Sequence, residues 1–246
     1  MRAILTYHSI DDSGSPISVS PAVFREHVQW MASGHVRVLP IGDLVSDPHG
    51  PDAVALTFDD GFANFETAAA VLAEHGLPAT LFIVTGHVGG MNDWGGRAAR
   101  EIPAMRLLSW DDIARHSAAG VRIGAHTHRH PDLTTIGSVD AAADIDKCIG
   151  EIRSHLGVEP NVFAYPYGAH DTATAALAAG RFRLAVTTRF DVIRGDDPRE
   201  LTPRLDMYYF RRSRTIDAWG SPGFQRRLMS IRTRRKIRRV LAREPR

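Results

Sequence analysis

The run Ala53-Val54-Ala55-Leu56-Thr57-Phe58-Asp59-Asp60-Gly61 is the most informative part of the sequence. Its first six residues are short, apolar and typical of a buried strand in a parallel sheet. Residues 64–76 then place apolar side chains at helical spacing and end at a glycine, which predicts a helix. Two adjacent carboxylates, Asp59 and Asp60, therefore stand at the junction between a strand and a helix. Parallel α/β folds place their chemistry at such junctions.

Two interpretations of this acidic pair are open. Neighbouring acids on an extended segment point in roughly opposite directions and repel each other, so the pair adds no stability to the fold. A division of labour would explain it, with one acid on a metal ion and the other acting as a base. Alternatively, one acid caps the following helix and the other is solvated. Considered alone, the pair favours the second interpretation.

Length and composition limit the class of protein. The chain has 246 residues, 43% of them hydrophobic, which suits one α/β domain or two small ones. The single cysteine, Cys148, excludes an internal disulfide and a zinc site built from several cysteines. The first apolar run is too short for a signal peptide, and no run approaches membrane-spanning length. We therefore expect a soluble, cytoplasmic protein.

Strand and helix patterns alternate along the whole chain, without an internal repeat. This alternation favours a single-domain α/β fold, and the spread of short strands favours a (β/α) barrel over an open sheet. Serines at 20, 109 and 138 are the expected helix N-caps. The predicted strands are 3–7, 36–39, 53–58, 79–84, 121–125, 161–165 and 184–188, and the predicted helices are 21–31, 64–76, 110–119, 139–156 and 172–179.

A group of histidines follows another predicted strand, in His126-Thr127-His128-Arg129-His130. A helical turn here would bring His126 and His130 to one side and direct His128 elsewhere. Two neutral imidazoles and one carboxylate suit zinc and similar metals and leave positions open for water and substrate. A solvated loop is the alternative. The acidic pair on another strand end favours the metal site.

Two further segments suggest parts of a binding site. In Phe163-Ala164-Tyr165-Pro166-Tyr167-Gly168, proline and glycine sharpen a strand exit, which can direct the Tyr167 N–H at an oxyanion. A plain strand-to-loop turn with two half-buried tyrosines is the simpler interpretation of this segment alone. Residues 85–96 carry several glycines and Trp94, a composition suited to a long loop over a site.

Three motifs together resemble the polysaccharide deacetylase family, carbohydrate esterase family 4, with its NodB homology domain. They are, in order, Thr57-Phe58-Asp59-Asp60-Gly61, His126-Thr127-x-x-His130 and Tyr165-Pro166-Tyr167-Gly168. The opening Tyr7-His8-Ser9 is similar to that of exopolysaccharide deacetylases, and the similarity spans most of residues 1–206. The resemblance implies a distorted (β/α) barrel that removes N- or O-acetyl groups from sugars.

The resemblance also implies roles for individual residues. Asp60, His126 and His130 would hold a divalent metal, usually zinc. Asp59 would be the general base that takes a proton from metal-bound water. The Tyr167 N–H would stabilise the oxyanion together with the metal. Four further residues are assigned to support of the ligands or contact with substrate: Thr127, Tyr165, Pro166 and Trp94.

Two elements of the family pattern are missing. An arginine that braces the base often begins the third motif, but the matching residue here is Ala164; we assign Arg204, in Thr202-Pro203-Arg204-Leu205-Asp206, as its substitute. No late leucine-x-histidine signature supplies an acid for the leaving amine, and we assign His8 to that role. Two alternatives therefore stay open: a metal-dependent amidase on a non-sugar substrate, and a catalytically impaired glycan-binding protein.

The net charge of +2 conceals an uneven distribution. Residues 226–246 contain ten Lys or Arg and one acid, which gives +9; subtracting this from +2 leaves about −7 for residues 1–225. Three apolar residues at helical spacing in this segment suit contact with an anionic membrane surface, with a frayed, solvated terminus as the alternative. These residues are Ile237, Val240 and Leu241.

We divide the chain into a deacetylase-like barrel, residues 1–215, and a basic helical tail, residues 216–246. The expected partner is a sugar or glycan substrate, lipid-linked if the tail lies on the inner face of a membrane. A basic tail of this kind can also bind nucleic acid, but nothing else in the sequence resembles a nucleic-acid-binding module, so no nucleic acid is expected.

Overall fold

The structure is a computed structural model and describes residues 1–94, 102–212 and 214–241. The strands are β1 (Arg2–Tyr7), β2 (Ser9–Ile10), β3 (Ser18–Val19), β4 (Arg37–Val38), β5 (Ala53–Phe58), β6 (Ala79–Ile83), β7 (Arg122–Ala125), β8 (Val162–Ala164), β9 (Leu184–Phe190) and β10 (Thr202–Asp206). The α-helices are α1 (Pro21–Trp30), α2 (Ile41–Ser46), α3 (Phe65–Glu74), α4 (Trp110–Ala118), α5 (Ser138–Leu156), α6 (Thr172–Ala179) and α7 (Pro222–Leu241).

Seven parallel strands close into a barrel in the order β1-β10-β9-β8-β7-β6-β5. Closure comes from the pairing of β1 with β5, which runs in register from Arg2 opposite Ala53 to Tyr7 opposite Phe58. The short strand β4 pairs with the beginning of β5, and β2 pairs with β3 in a separate ribbon. The predicted single-domain (β/α) barrel is confirmed. Because the strands are parallel, their carboxyl ends meet at one rim.

Apart from the helical turn expected at 126–130, every predicted strand and helix is found within two residues of its predicted ends. Local capping explains several boundaries. The Ser20 hydroxyl accepts a hydrogen bond from the Val23 N–H at the start of α1 (3.3 Å). Ser109 and Asp112 bond each other's backbone N–H groups in a capping box at the start of α4. Gly157, which closes α5, has a φ of 67°, a left-handed conformation that glycine adopts without strain.

The structure differs from the sequence prediction at α5 and β10, and it adds the short β2–β3 ribbon. Ser138, expected to cap α5, is its first residue, and Gly137 occupies the cap position. The segment Thr202–Asp206 forms β10, which the sequence pattern did not indicate. A proline and an arginine within five residues obscure the apolar pattern of this buried strand.

Aromatic side chains between the barrel wall and two helices fix the strands that lead to the acidic pair. Tyr7 of β1 packs on Phe24 of α1 and Phe58 of β5, with ring centroids 5.1 and 5.3 Å apart. Phe58 in turn contacts Phe65 of α3 at 4.9 Å. All four rings are almost fully buried. Such pairs add about 0.5–1.5 kcal/mol each beyond the burial of apolar area, so this cluster holds the end of β5 firmly.

The C-terminal helix α7 packs against the barrel through one face. Phe224, Leu228 and Ile231 are buried, whereas Met229 and Ile237 on the opposite face are 56% and 53% exposed. The side chains at 240 and 241, which belong to the predicted apolar pattern, lie outside the described part of the chain. Within the described residues, no helix combines the length and the apolar character needed to cross a bilayer.

A buried histidine links α1 to β1 and to the segment after β10. The Nδ1 atom of His27 lies 3.0 Å from the Tyr7 hydroxyl, and Nε2 lies 3.3 Å from the Phe210 carbonyl oxygen. Because a carbonyl only accepts, Nε2 carries the proton and Nδ1 accepts from Tyr7. Burial lowers the pKa of His27 to about 4.

We predict that His27 makes the fold sensitive to mild acid. The unfolded chain takes up this proton near pH 6.5 and the folded chain only near pH 4, so the stabilisation is complete above about pH 6.5 and is lost as the pH falls towards 4. The loss is about 3 kcal/mol in the free energy of unfolding. Urea titrations of wild type and His27→Gln from pH 7 to pH 4 measure it. The variant should be less stable at pH 7 but less dependent on pH; parallel curves would contradict the prediction.

Candidate active site

A cavity of about 370 Å³ opens at the rim where the carboxyl ends of the strands meet. Its acidic and imidazole side chains come from the ends of three strands: His8 after β1, Asp59 and Asp60 after β5, and His126 and His130 after β7. Much of the remaining lining is apolar or aromatic, including Ile17, Phe62 and Trp94. The charged and imidazole groups are therefore concentrated in one part of a largely apolar cavity.

Asp60, His126 and His130 form a compact, buried triad. Asp60 Oδ1 lies 3.3 Å from His126 Nε2 and 3.5 Å from His130 Nε2, and the two Nε2 atoms are 3.3 Å apart. Ligands of tetrahedral zinc lie about 2.0–2.1 Å from the ion, so neighbouring ligand atoms are about 3.3–3.4 Å apart. The triad thus matches one face of such a tetrahedron, and a fourth ligand position is left for water or substrate.

Hydrogen bonds orient the two imidazoles for this role. His126 Nδ1 donates to the Ala164 carbonyl oxygen (2.7 Å), and this hydrogen bond orients the ring so that Nε2 is directed at the triad. The His130 backbone N–H donates to the Thr127 hydroxyl (3.0 Å). The helical turn expected at this segment is not formed, because Thr127 and His130 have φ values of 69° and 58°. Two left-handed residues, rather than a helix, bring the imidazoles together.

A carboxylate on α5 also stabilises the turn at 126–130. Asp144 Oδ1 accepts from the backbone N–H groups of His128 (2.7 Å) and Arg129 (3.2 Å), and Asp144 Oδ2 accepts from Arg129 Nε (2.7 Å). The His128 ring faces Thr85 and lies outside the triad. Sequence reasoning missed Asp144, although an acid on the apolar face of α5, beside Ala141 and Cys148, was a usable signal.

Asp59 lines the same cavity and forms a buried ion pair with Arg204. Arg204 Nη1 and Nη2 donate to the two carboxylate oxygens at 2.7 and 2.6 Å, and both side chains are at most 3% exposed. Nη1 also contacts the Thr57 hydroxyl (3.3 Å), and Nε donates to the Thr187 carbonyl (3.1 Å). Neither acid caps α3, whose N-cap residue is Asn64, so the capping interpretation is wrong.

The charge states follow from these contacts. Burial acts to raise the pKa of Asp59, but the charge and hydrogen bonds of Arg204 hold that pKa below its usual range, so Asp59 is ionised. The pKa of Asp60 is likewise lowered, because its hydrogen bond to His126 and the neighbouring imidazoles outweigh burial. Burial and the neighbouring His126 lower the pKa of His130 to about 3, which keeps it neutral as a ligand must be. Burial opposes protonation of His126, but the hydrogen bond to Asp60 and the two carboxylates raise its pKa.

Aromatic residues surround the exposed side of His130. The rings of Trp94 and Tyr167 both lie 4.6 Å from the His130 ring, and both residues line the cavity. Tyr165 also lines the cavity and donates through its hydroxyl to the Glu200 carbonyl (2.9 Å). Pro166 is buried in the turn and is not among the lining residues, and its role in support of the ligands or contact with substrate stays a prediction.

His8 lies beside the ion pair, with Nε2 3.8 Å from Asp59 Oδ2 and with 20% of its side chain exposed. The structure therefore brings the predicted acid and base candidates into one cavity. Sequence reasoning missed two polar lining residues, Asn92 and Thr188, which carry no motif signal. The end of the predicted loop, at 95 and 96, lies outside the described residues.

Comparison with known proteins defines the family. Residues 46–181, more than half of the 246-residue chain, match the family described as Polysaccharide deacetylase. The chain belongs to the polysaccharide deacetylase family. The predicted family is confirmed, and it is an enzyme family of carbohydrate deacetylases.

Curated relatives of this chain include enzymes named for chitin and its oligomers. A chitin deacetylase from Colletotrichum lindemuthianum is 26% identical over 74% of this chain and 68% of its own length. A chitooligosaccharide deacetylase from Sinorhizobium fredii is 34% identical over 53% of this chain and 55% of its own length. The matches span between 27% and 68% of the length of the first four curated relatives.

Solved structures agree on the fold. IcaB from Ammonifex degensii aligns with a TM-score of 0.71 at 25% identity, over 89% of this chain and 93% of that chain. The Streptococcus pyogenes deacetylase PplD, solved in complex with acetate, aligns with a TM-score of 0.71 at 21% identity, over 83% and 91%. The predicted NodB-type barrel is thereby confirmed.

We predict that the triad binds one divalent ion per chain. Asp60→Asn and His130→Ala should each lower metal affinity by at least about 10-fold, since each removes a ligand. Mass spectrometry of metal content after dialysis against a mild chelator measures this loss. His128→Gln is the matched control, because this neighbouring histidine faces away from the triad. Equal metal content in all four proteins would contradict the assignment.

Proposed function

We propose that this protein is a metal-dependent hydrolase that removes the acetyl group from an N-acetylated sugar or glycan precursor. The observation that carries the proposal is the presence, in one cavity, of a ligand triad and an ionised, buried carboxylate. Curated relatives include a chitin deacetylase and a chitooligosaccharide deacetylase, and this similarity supports an N-acetylated sugar as substrate.

The metal supplies electrophilic chemistry when it is bound: it polarises the amide carbonyl and favours ionisation of water, and zinc is the ion that the ligand set suits best. Asp60, His126 and His130 hold it. Asp59 is the base that takes the proton from the attacking water. Its pairing with Arg204 keeps it ionised and fixes the direction of its oxygens.

Two other groups act on the substrate. We assign the Tyr167 backbone N–H as a donor to the oxyanion that forms when water adds to the amide carbonyl. His8 is assigned to protonate the leaving amine, because its imidazole lines the cavity within 3.8 Å of Asp59. The apolar wall that includes Trp94 and Ile17 limits access of bulk water and packs against the substrate.

The contacts of Arg204 favour a catalytic protein over an impaired glycan binder. The arginine missing at Ala164 is replaced by one from a different strand, which bonds both oxygens of Asp59. An arginine that pairs with the base is therefore present, although it does not come from the third motif, where the family usually has it. A binding protein would have no need to bury an ionised carboxylate beside a metal-ligand set, which costs several kcal/mol in desolvation.

We predict that Asp59→Asn abolishes most acetate release but retains the metal. The expected fall in kcat/KM is about 10²- to 10⁴-fold, because the general base is lost while the triad is intact. Acetate release from a panel of N-acetylated oligosaccharides, measured beside metal content and circular dichroism, tests this. Asp140→Asn, which alters an exposed acid on α5, is the control.

Three results would overturn parts of the proposal. Turnover of simple N-acetyl amides without turnover of any glycan would indicate an amidase on a non-sugar substrate. Glycan binding without acetate release by the metal-loaded wild type would indicate a binding protein. Full activity in Asp59→Asn would exclude Asp59 as the base.

We further propose that the outer face of α7 contacts an anionic membrane surface, which would place the enzyme at the inner face of the cytoplasmic membrane. Met229 and Ile237 are more than half exposed there, next to the exposed cations Arg226 and Lys236. Basic residues near an anionic surface contribute about 1 kcal/mol each.

Replacement of both Arg226 and Lys236 by alanine should therefore weaken binding to phosphatidylserine-containing vesicles by about 2 kcal/mol, or roughly 30-fold. Co-sedimentation at low and physiological salt measures the change, with Lys147→Ala on α5 as the control. Equal sedimentation of the three proteins, or no binding by wild type, would exclude this contact.

A further inference from the structure

A bulge interrupts β9 next to the cavity. The pairing of β9 with β10 shifts register, so that residues 187–189 of β9 lie opposite Pro203 alone. Proline has no N–H to donate to a strand ladder. The backbone groups of the bulge therefore need partners from outside the sheet, as buried peptide groups generally do.

Two arginines provide partners for consecutive carbonyl groups of the bulge. The Thr187 carbonyl accepts from Arg204 Nε at 3.1 Å, inside the barrel. The Thr188 carbonyl accepts from Arg235 Nη2 of α7 at 2.9 Å. The Arg189 N–H donates to the Thr187 hydroxyl at 3.1 Å. The bulge is thus held by the arginine that braces Asp59 and by a second arginine from the C-terminal helix.

The bulge in turn supports the turn that carries Tyr167. The Thr188 hydroxyl donates to the Tyr167 carbonyl oxygen at 3.2 Å. Tyr167 has a φ of 59°, a left-handed conformation that a non-glycine residue holds only when its surroundings impose it. Gly168 packs so closely that a Cβ there would lie 2.1 Å from the Thr188 Oγ1. A shift of Thr188 would therefore move Tyr167.

Arg235 is itself held in a fixed position. Its Nη1 atom donates to the Tyr209 hydroxyl at 3.2 Å and lies 3.8 Å from Asp206 Oδ2. Its guanidinium lies over the rings of Phe190 and Tyr209, with distances of 5.7 and 5.4 Å to the ring centroids. Separate nitrogens of the guanidinium serve the Tyr209 hydroxyl and the Thr188 carbonyl, a geometry that the single ammonium nitrogen of lysine does not reproduce.

We infer that Arg235 is a positioning residue of the active site: through the Thr188 carbonyl and hydroxyl it fixes the backbone of Tyr167 at the cavity. This inference rests on the proposed function only where it concerns catalysis, since Tyr167 is there the oxyanion donor. It assigns the C-terminal helix a part in the site that its basic composition does not suggest.

The test compares Arg235→Lys with Arg234→Lys, which alters the adjacent, exposed arginine and keeps the same charge. Hydrogen–deuterium exchange of the peptide spanning 163–170 is the readout that needs no activity. We expect exchange there to be about 10-fold faster in Arg235→Lys, as for the loss of one well-made hydrogen bond, and unchanged in Arg234→Lys. Unchanged exchange in Arg235→Lys would overturn the inference, whatever the activity.

Steady-state kinetics test whether the position of Tyr167 set by Arg235 matters for catalysis. In metal-loaded protein, Arg235→Lys should lower kcat by about 10- to 100-fold with KM changed by less than about twofold, because a donor to the transition state is displaced. An unchanged kcat would overturn the catalytic part of the inference. If wild type releases no acetate, the proposed function fails, and the exchange measurement still decides the positional part.

Variants at Thr188 test the route of the coupling. Thr188→Val removes the hydroxyl that bonds Tyr167, so hydrogen–deuterium exchange of the peptide 163–170 should become faster. Thr188→Ser retains the hydroxyl, so exchange of this peptide should be as slow as in wild type. If Arg235 acts through Thr188, the double variant Arg235→Lys/Thr188→Val should exchange little faster than Thr188→Val alone. If the two substitutions multiply each other's effect on the exchange rate, they act independently, and the proposed coupling from Arg235 through Thr188 is overturned.

Discussion

The buried ion pair between Asp59 and Arg204 is the interaction on which the catalytic end of the barrel depends. Two charges with almost no exposure are tolerated only because Arg204 satisfies both oxygens of Asp59, the Thr57 hydroxyl and the Thr187 carbonyl. Removing one partner of such a pair typically costs about 3–5 kcal/mol. The pair therefore ties β5, β9 and β10 together, and their relative register cannot change without leaving a charge unpaired in the interior.

The direction of Asp59 also determines the shape of the ligand site. With Asp59 turned towards Arg204, the next residue adopts a φ of 74° and directs its carboxylate at the two imidazoles. Among the described residues, five non-glycine residues have positive φ, and four of them lie at this site: Asp60, Thr127, His130 and Tyr167. Each costs roughly 1–3 kcal/mol, which the tightly packed strands beneath must offset.

Much of this arrangement could be predicted from sequence, because the alternation of strands and helices and the short motifs are local signals. The strands that end in Asp59 and His126 are short and apolar, and their order along the chain places their carboxyl ends at one rim. Other features depend on distant residues. Arg204 is 145 positions from Asp59 and lies in a strand whose proline and arginine hide its pattern. Left-handed residues at the site, and the packing of α7 on β9, have no local signature.

The left-handed residues have a consequence for how an ion would enter and leave the triad. Opening of the turn would release this backbone strain, whereas the barrel strands carry none and are held by continuous hydrogen bonds and apolar contacts. A brief opening of the turn at 126–130 would separate the imidazole donors while the seven strands stay paired. Ion exchange with solution would then follow the fluctuation rate of this turn, so the protein could be stripped and reloaded by a chelator without unfolding.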